Sequence, residues 1–271
     1  MPIITKISTQ KRKGRYNIFI DNEYAFSVSE RTLAEKRLLK GTELSTEDIK
    51  EIKKAESDSH AIQLVMSYLS YQPRSVYEIL EYLNKHEISQ DASQAAVQNL
   101  IKLNYLNDNN FARLFIKNNL RVGKDGPRAV DRKLKQKGLA ADVIQEALYE
   151  IEDEEWIDAG LRLVHSLIHQ VGKLSYKDIK QKALTKLRAH GFDQELGELV
   201  IEKLDLENDE DEQIEALKRQ GSKAWRRYRR DEDFKRKQKV KRYLFQHGFS
   251  SSEIDSFLNG EVVDLEEIDE Y

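Results

Sequence analysis

The sequence predicts an all-α fold, an elongated array of tandem three-helix repeats with a small N-terminal β-meander, and three observations carry that expectation. Gly numbers only 12 and Pro only 3 in 271 residues, too few for a loop-rich β architecture. Charged residues make up 34% and the hydrophobic set 39%, a balance that suits helices with a broad solvated face and a modest core. From about residue 58 onward, a set of apolar landmarks recurs four times at a nearly constant interval.

Residues 3–9, 16–21 and 24–28 are short β-branched and aromatic runs alternating with polar residues, so they read as three strands. Lys11, Arg12, Lys13 and Gly14 form the first turn, and Asp21-Asn22 a tighter one, because Asn tolerates the left-handed conformation a hairpin needs. A helix is expected over 33–39, stopping at Gly41, after which Ser45 with Asp48 three residues on opens another through a capping box.

The repeat is anchored on Leu83, Leu134, Leu187 and Leu244, which are 51, 53 and 57 residues apart. Four residues before them stand Ile79, Val130, Ala183 and Val240, and five after stand Ile88, Leu139, Phe192 and Phe249. Nine further on come Val97, Leu148, Ile201 and Leu258. A helix that buries i and i+4, breaks, and hands an apolar residue to the turn before the next helix gives this spacing. The break is marked by Gly138, Gly191 and Gly248, with Glu87 as the exception in the first copy. Just before stand His86, Lys137, His190 and His247, where a cation meets the open carbonyls of a helix end. The expected domains are 1–57 (meander and helices), 58–108, 109–153, 154–207 and 208–260 (repeats one to four), and 261–271 (acidic tail). Acidic runs from Glu150 to Asp158 and from Asp205 through Glu207 to Glu215 precede the third and fourth copies, near helix N-termini that favour anions.

Cysteine is absent, which removes disulfides, thiolate metal sites and cysteine nucleophiles. No stretch approaches the ~20 apolar residues a membrane span needs, so a cytoplasmic protein is expected. Phosphate-binding Gly loops, dinucleotide fingerprints and the GxSxG and HExxH motifs are missing, and no enzyme, catalytic residue, cofactor or metal is expected. The one alternative of that class is a metal held by His165 and His169, four apart on an expected helix.

Net charge is only −3, so distribution decides the partner. Residues 109–138 carry nine basic residues (Arg113, Lys117, Arg121, Lys124, Arg128, Arg132, Lys133, Lys135 and Lys137) against two acidic ones. Residues 223–242 carry eleven against three, among them Arg226, Arg227, Arg229, Arg230, Lys235, Arg236, Lys239 and Arg242. Trp225 and Tyr228 are interleaved and offer a stacking face. One sign of charge over ~30 Å of helix repels itself, and a polyanion relieves the repulsion. The acidic tail, Glu261, Asp264, Glu266, Glu267, Asp269 and Glu270, is expected to fold back on this patch when no partner is bound, in which case deleting 261–271 tightens polyanion binding.

Three ordered motifs resemble those of the RecX regulatory proteins: Gln72-Pro73-Arg74-Ser75-Val76-Tyr77-Glu78-Ile79-Leu80; Leu103-Asn104-Tyr105-Leu106-Asn107-Asp108 followed by Phe111-Ala112; and Gly126-Pro127 leading to Lys137-Gly138-Leu139. They cover residues 60–150, while the third and fourth copies match in periodicity alone. The resemblance implies a modulator of the RecA recombinase that lies along the groove of the RecA filament on single-stranded DNA and damps recombinase and coprotease activity in DNA repair and the SOS response; a monomer is expected. Arg74, Arg128 and Arg132, in or beside the motifs, lead the expected contacts. The competing reading is a protein that binds single- or double-stranded DNA without RecA.

Overall fold

A computed structural model describes residues 2–11, 14–206 and 209–270. Arg12 and Lys13 of the first expected turn, and Glu207 of the second acidic run, lie outside the described residues. The chain divides into two units, one made of residues up to Ala112 together with Leu134–Val143, the other of Arg113–Lys133 and the chain from Ile144 onward.

The first unit opens with an antiparallel sheet of β1 (Ile4–Thr9), β2 (Arg15–Ile20) and β3 (Glu23–Ser29) in sequential order. Asp21 and Asn22 hold φ of 50° and 71°, the paired left-handed conformation of a tight hairpin. One face of the sheet buries Ile4, Ile18, Phe26 and Val28 beneath Leu38, Leu44 and Ile52. The next helix, α1 (Glu30–Glu35), starts and ends earlier than the expected 33–39. Ser29 caps it by accepting from Thr32 N, and Arg37 at φ 48° turns the chain so that Leu38 enters the core.

Helix α2 (Thr46–Leu69) begins at the Ser45/Asp48 capping box and runs unbroken through residue 57. It serves two cores: Ile52 faces the sheet, while Ala61 and Val65 join Ile79 and Leu83 of α3 (Val76–Lys85) and Ala96, Val97 and Leu100 of α4 (Gln90–Lys102). Three triplets follow: α5 (Asp108–Val122), α6 (Pro127–Gln136) and α7 (Ala141–Tyr149); α8 (Asp153–Val164), α9 (Tyr176–Ala189) and α10 (Gln194–Lys203), with a 3-10 helix η1 (His165–Gln170) inserted after α8; then α11 (Glu210–Arg227), α12 (Asp233–Gln246) and α13 (Ser251–Leu258). A last short helix, α14 (Leu265–Glu270), closes the described chain.

All four anchor leucines and their partners four residues earlier are fully buried. The expected helix ends are also present: Gly138, Gly191 and Gly248 stand at φ 77°, 86° and 85°, and Glu87 reaches the same region at φ 59° without being glycine. The difference between Gly and Glu has a packing cause. In copies two to four the end of the anchor helix receives the start of the anchor helix of the preceding copy. Ser75 Oγ donates to Lys137 O at 2.7 Å, Gly126 N to His190 O at 2.8 Å, and Ser175 Oγ to His247 O. Each junction joins the positive end of one helix dipole to the open carbonyls of another. A Cβ at Gly191 would stand 2.7 Å from Ala129 Cβ, one at Gly138 2.9 Å from Tyr77 Cδ2, and one at Gly248 2.9 Å from Ser175 Oγ. Glu87, which ends the anchor helix of the first copy, is exposed.

The residue before each glycine completes the junction. Lys137 Nζ donates to Glu78 Oε1 at 2.6 Å, His190 Nδ1 lies 3.4 Å from Asp125 Oδ1, and His247 Nδ1 lies 3.3 Å from Asp178 Oδ2. Burial pushes the Glu78 carboxyl up, but Lys137 and the Ser75 amide outweigh it and hold it below the ordinary glutamate value. These histidines are therefore structural. His86 of the first copy turns instead to its own helix, with Nδ1 2.8 Å from Tyr82 O.

Candidate nucleic-acid interface

The basic surface of the fourth copy is set by the two-faced sequence of α11. Its inner face buries Ala216, Leu217, Ala224 and Trp225, and Gly221 lies so close to Phe257 that a Cβ would stand 2.5 Å from the ring Cζ. Its outer face carries Arg219, Lys223 and Arg226, exposed and spaced four and three residues apart, one side of a helix. With Lys218 and Ser222 they line a shallow groove. Arg219 and Lys218 lie ahead of the basic stretch read from residue 223; the helical spacing Arg219-Lys223-Arg226 is the signal that locates them.

Arg229 and Arg230, in the turn after α11, and Arg242 on α12 are also exposed. Tyr228 is half-buried and carries Arg227 and Lys239 over its ring at 5.7 and 5.6 Å. Lys239 also reaches Asp231 at 2.7 Å, Lys235 reaches Glu232 at 3.0 Å, and Lys241 reaches Asp255 at 2.7 Å. The Lys235–Glu232 and Lys241–Asp255 pairs are solvent-exposed and contribute between zero and ~1 kcal/mol each, so those ammonium groups exchange readily onto a stronger anion.

Arg236 and Trp225 depart from the expectation of surface contacts. Arg236 is 8% exposed, because positions 236, 240 and 244 form the inner face of α12. Its guanidinium lies 3.8 Å above the Trp225 ring, donates from Nε and Nη2 to Trp225 O at 3.1 and 2.8 Å, and grips Asp269 at 2.8 and 2.5 Å. Trp225 is 4% exposed and donates Nε1 to Asp269 Oδ2 at 3.3 Å, so its ring offers no stacking face. The tail thus folds back onto buried Arg236, with Ile268 entering the core beside Leu244, while Glu261, Asp264, Glu266 and Glu267 remain exposed.

Arg236 holds the Asp269 carboxyl below the usual aspartate range, against a smaller upward push from burial. A carboxylate lowered by docking contributes fully above the free aspartate value near ~3.9, and the contribution is lost as pH falls through the depressed value. Acid titration is therefore expected to release α14 and shift the Trp225 indole NH resonance. Asp269→Asn is expected to place that resonance at its acid position already at neutral pH; a wild-type position in the variant would show that the pair does not hold the tail.

The other predicted residues scatter. Arg113 is tied to Glu150 through Nε at 2.9 Å and Nη2 at 2.5 Å. Lys117, Arg121 and Lys124 are exposed at the end of α5 and beyond it. Lys133 pairs with Asp125, whose carboxyl burial pushes up and Lys133 and His190 pull further down. Arg128 is 73% exposed, 3.7 Å from Asp193, and Arg132 and Lys135 are exposed. Arg74 is packed inward, its guanidinium 4.1 Å above Tyr68, which stacks on Tyr82 at 4.0 Å. His165 and His169 sit on η1 with rings edge-on at 6.4 Å. Among the described residues no group of three or more His, Cys, Asp or Glu is placed to hold a metal, and no helix is long and apolar enough to cross a membrane.

Residues 2–45 match the N-terminal domain of regulatory protein RecX, and residues 61–100, 107–148 and 210–258 match the first, second and third RecX three-helix domains. The regulatory protein RecX of Lactobacillus gasseri is 92% identical over 271 residues, covering all of both chains. That of Bacillus subtilis is 37% identical over 262 residues, covering 96% of this chain and 99% of its own. A crystal structure of regulatory protein RecX aligns with a TM-score of 0.61 at 29% identity, covering 74% of this chain and all of its own. The structure of RecX from Lactobacillus salivarius aligns at 0.53 and 26% identity, covering 56% and 99%.

Proposed function

Since the chain belongs to the RecX family of regulatory proteins, we propose that it binds the RecA filament assembled on single-stranded DNA and lowers its recombinase and coprotease activity. It acts by binding, as a cytoplasmic monomer, and not by catalysis. The observation that supports a polyanionic target is the row Arg219, Lys223 and Arg226, three exposed cations on one helix face with Arg229 and Arg230 just beyond. Such a row neutralises successive phosphates and releases their counterions, which supplies affinity without reading sequence. The same row favours a second reading, DNA binding that does not require RecA.

Added at a substoichiometric ratio to RecA, the protein is expected to slow RecA's single-strand-dependent ATP hydrolysis. Equal rates with and without it would remove the regulator reading. Binding to preassembled filaments, compared with bare single strands, separates the two readings: preference for the filament supports the first, and equal affinity that falls uniformly with salt supports the second.

A further inference from the structure

The outward face of α12 carries two aromatic rings that the fold does not use. Phe234 and Phe245 are 72% and 66% exposed. Eleven residues apart, they fall on the same side of the helix, separated by about 16 Å of helical rise. Gln238 and Lys241 occupy the turns between them, and Lys237 and Arg242 flank the line on either side. The stretch 234–245 contains no acidic residue. A lone exposed phenylalanine is ordinary, but two in register, on the side of α12 opposite buried Arg236 and bordered by cations, make a second amphipathic face turned to solvent.

We propose that this face is a stacking platform for the unpaired bases of a single-stranded nucleic acid, with Phe234 and Phe245 each taking one base while Lys237, Lys241 and Arg242 take the intervening phosphates. The proposal rests on the polyanion-binding reading of the fourth copy and names what that surface selects. A flat apolar ring beside an anion is the alternation that a single strand presents; a duplex keeps its base faces stacked against one another and offers a ring nothing to cover. Arg229 and Arg230 are exposed in the turn that leads to α12, separated from Phe234 by Asp231, Glu232 and Asp233. The carboxylates that hold Lys237 and Lys241, Asp233 at 3.2 Å and Asp255 at 2.7 Å, are themselves exposed and yield to phosphate.

The test uses the full chain without RecA, and oligothymidylate, oligouridylate and a duplex of the same length as probes. Phe234→Ala with Phe245→Ala is expected to weaken oligothymidylate binding about tenfold per ring, with the salt slope and the duplex affinity unchanged. Phe234→Tyr with Phe245→Tyr is expected to restore binding to within about threefold, because a phenol ring stacks equally well. Loss on oligouridylate as well extends the platform to RNA. Wild-type affinity in the alanine variant, an equal loss on duplex, or no binding of oligothymidylate by the wild type would overturn it, as would loss of RecA-filament binding alone, which would assign the rings to a protein partner. Failure of the wild type to slow RecA would remove the regulator reading and leave the oligothymidylate result standing.

Discussion

Gly191→Ala is expected to destabilise the protein by about 2–3 kcal/mol more than Gly172→Ala, measured as a shift of the denaturant midpoint. The two glycines hold similar backbone conformations, φ 86° and 70°, so both substitutions place an alanine in the left-handed region at a cost of about 1–2 kcal/mol. They differ in surroundings. A Cβ at Gly172 meets nothing within 4 Å, whereas one at Gly191 strikes backbone and side chain of Ala129 at the start of α6. That neighbour is held by Gly126 N on His190 O and Arg128 N on Gly191 O, so moving it breaks the junction between two anchor helices. Subtracting the Gly172 result removes the backbone contribution and leaves the contact. Equal losses would mean that the helix ends do not meet as described.

Changing Arg219, Lys223 and Arg226 together to Ala is expected to lower affinity for single-stranded DNA on the order of a hundredfold at low salt, and to reduce the log–log salt slope by about 2, near 0.7 per phosphate lost. The loss shrinks as salt rises, because the wild type forfeits the same counterion release. Lys203→Ala removes an exposed cation that Glu154 and Asp158 already hold, and is expected to leave the slope unchanged. A triple variant with the wild-type slope would place the binding face elsewhere on the molecule. The three side chains point away from the inner face of α11, so the variant keeps the core of Leu217, Ala224 and Trp225 intact.

The repeat was legible because helix geometry writes it locally. A buried leucine, an apolar partner one turn back and an apolar residue past the break must recur wherever the same helix pair recurs, and Leu83, Leu134, Leu187 and Leu244 are buried in all four copies. Caps were legible for the same reason: Ser45 with Asp48 closes its box within four residues. The limits of α1 were not, since Ser29 reads equally as the end of a strand and becomes a cap through Thr32. Nor were the roles of individual cations. Arg236 lies inside because Asp269, 33 residues away, accepts its charge, and Arg113 is held by Glu150, 37 residues away. A local count of basic residues contains neither partner. Helical phase, applied to residues 236, 240 and 244 or to 219, 223 and 226, would have separated the inward arginine from the outward ones.

The junctions between anchor helices give the array a direction. Each copy after the first brings a glycine-ended helix to seat under the one before it, whereas the first copy ends in Glu87, whose side chain would collide with any helix seated there as a Cβ at Gly138 would with Tyr77. Duplication could therefore lengthen such a chain downstream, where a newcomer brings its own glycine, without rebuilding a single existing joint. Upstream, the glutamate acts as a stopper, and growth on that side would first require its replacement.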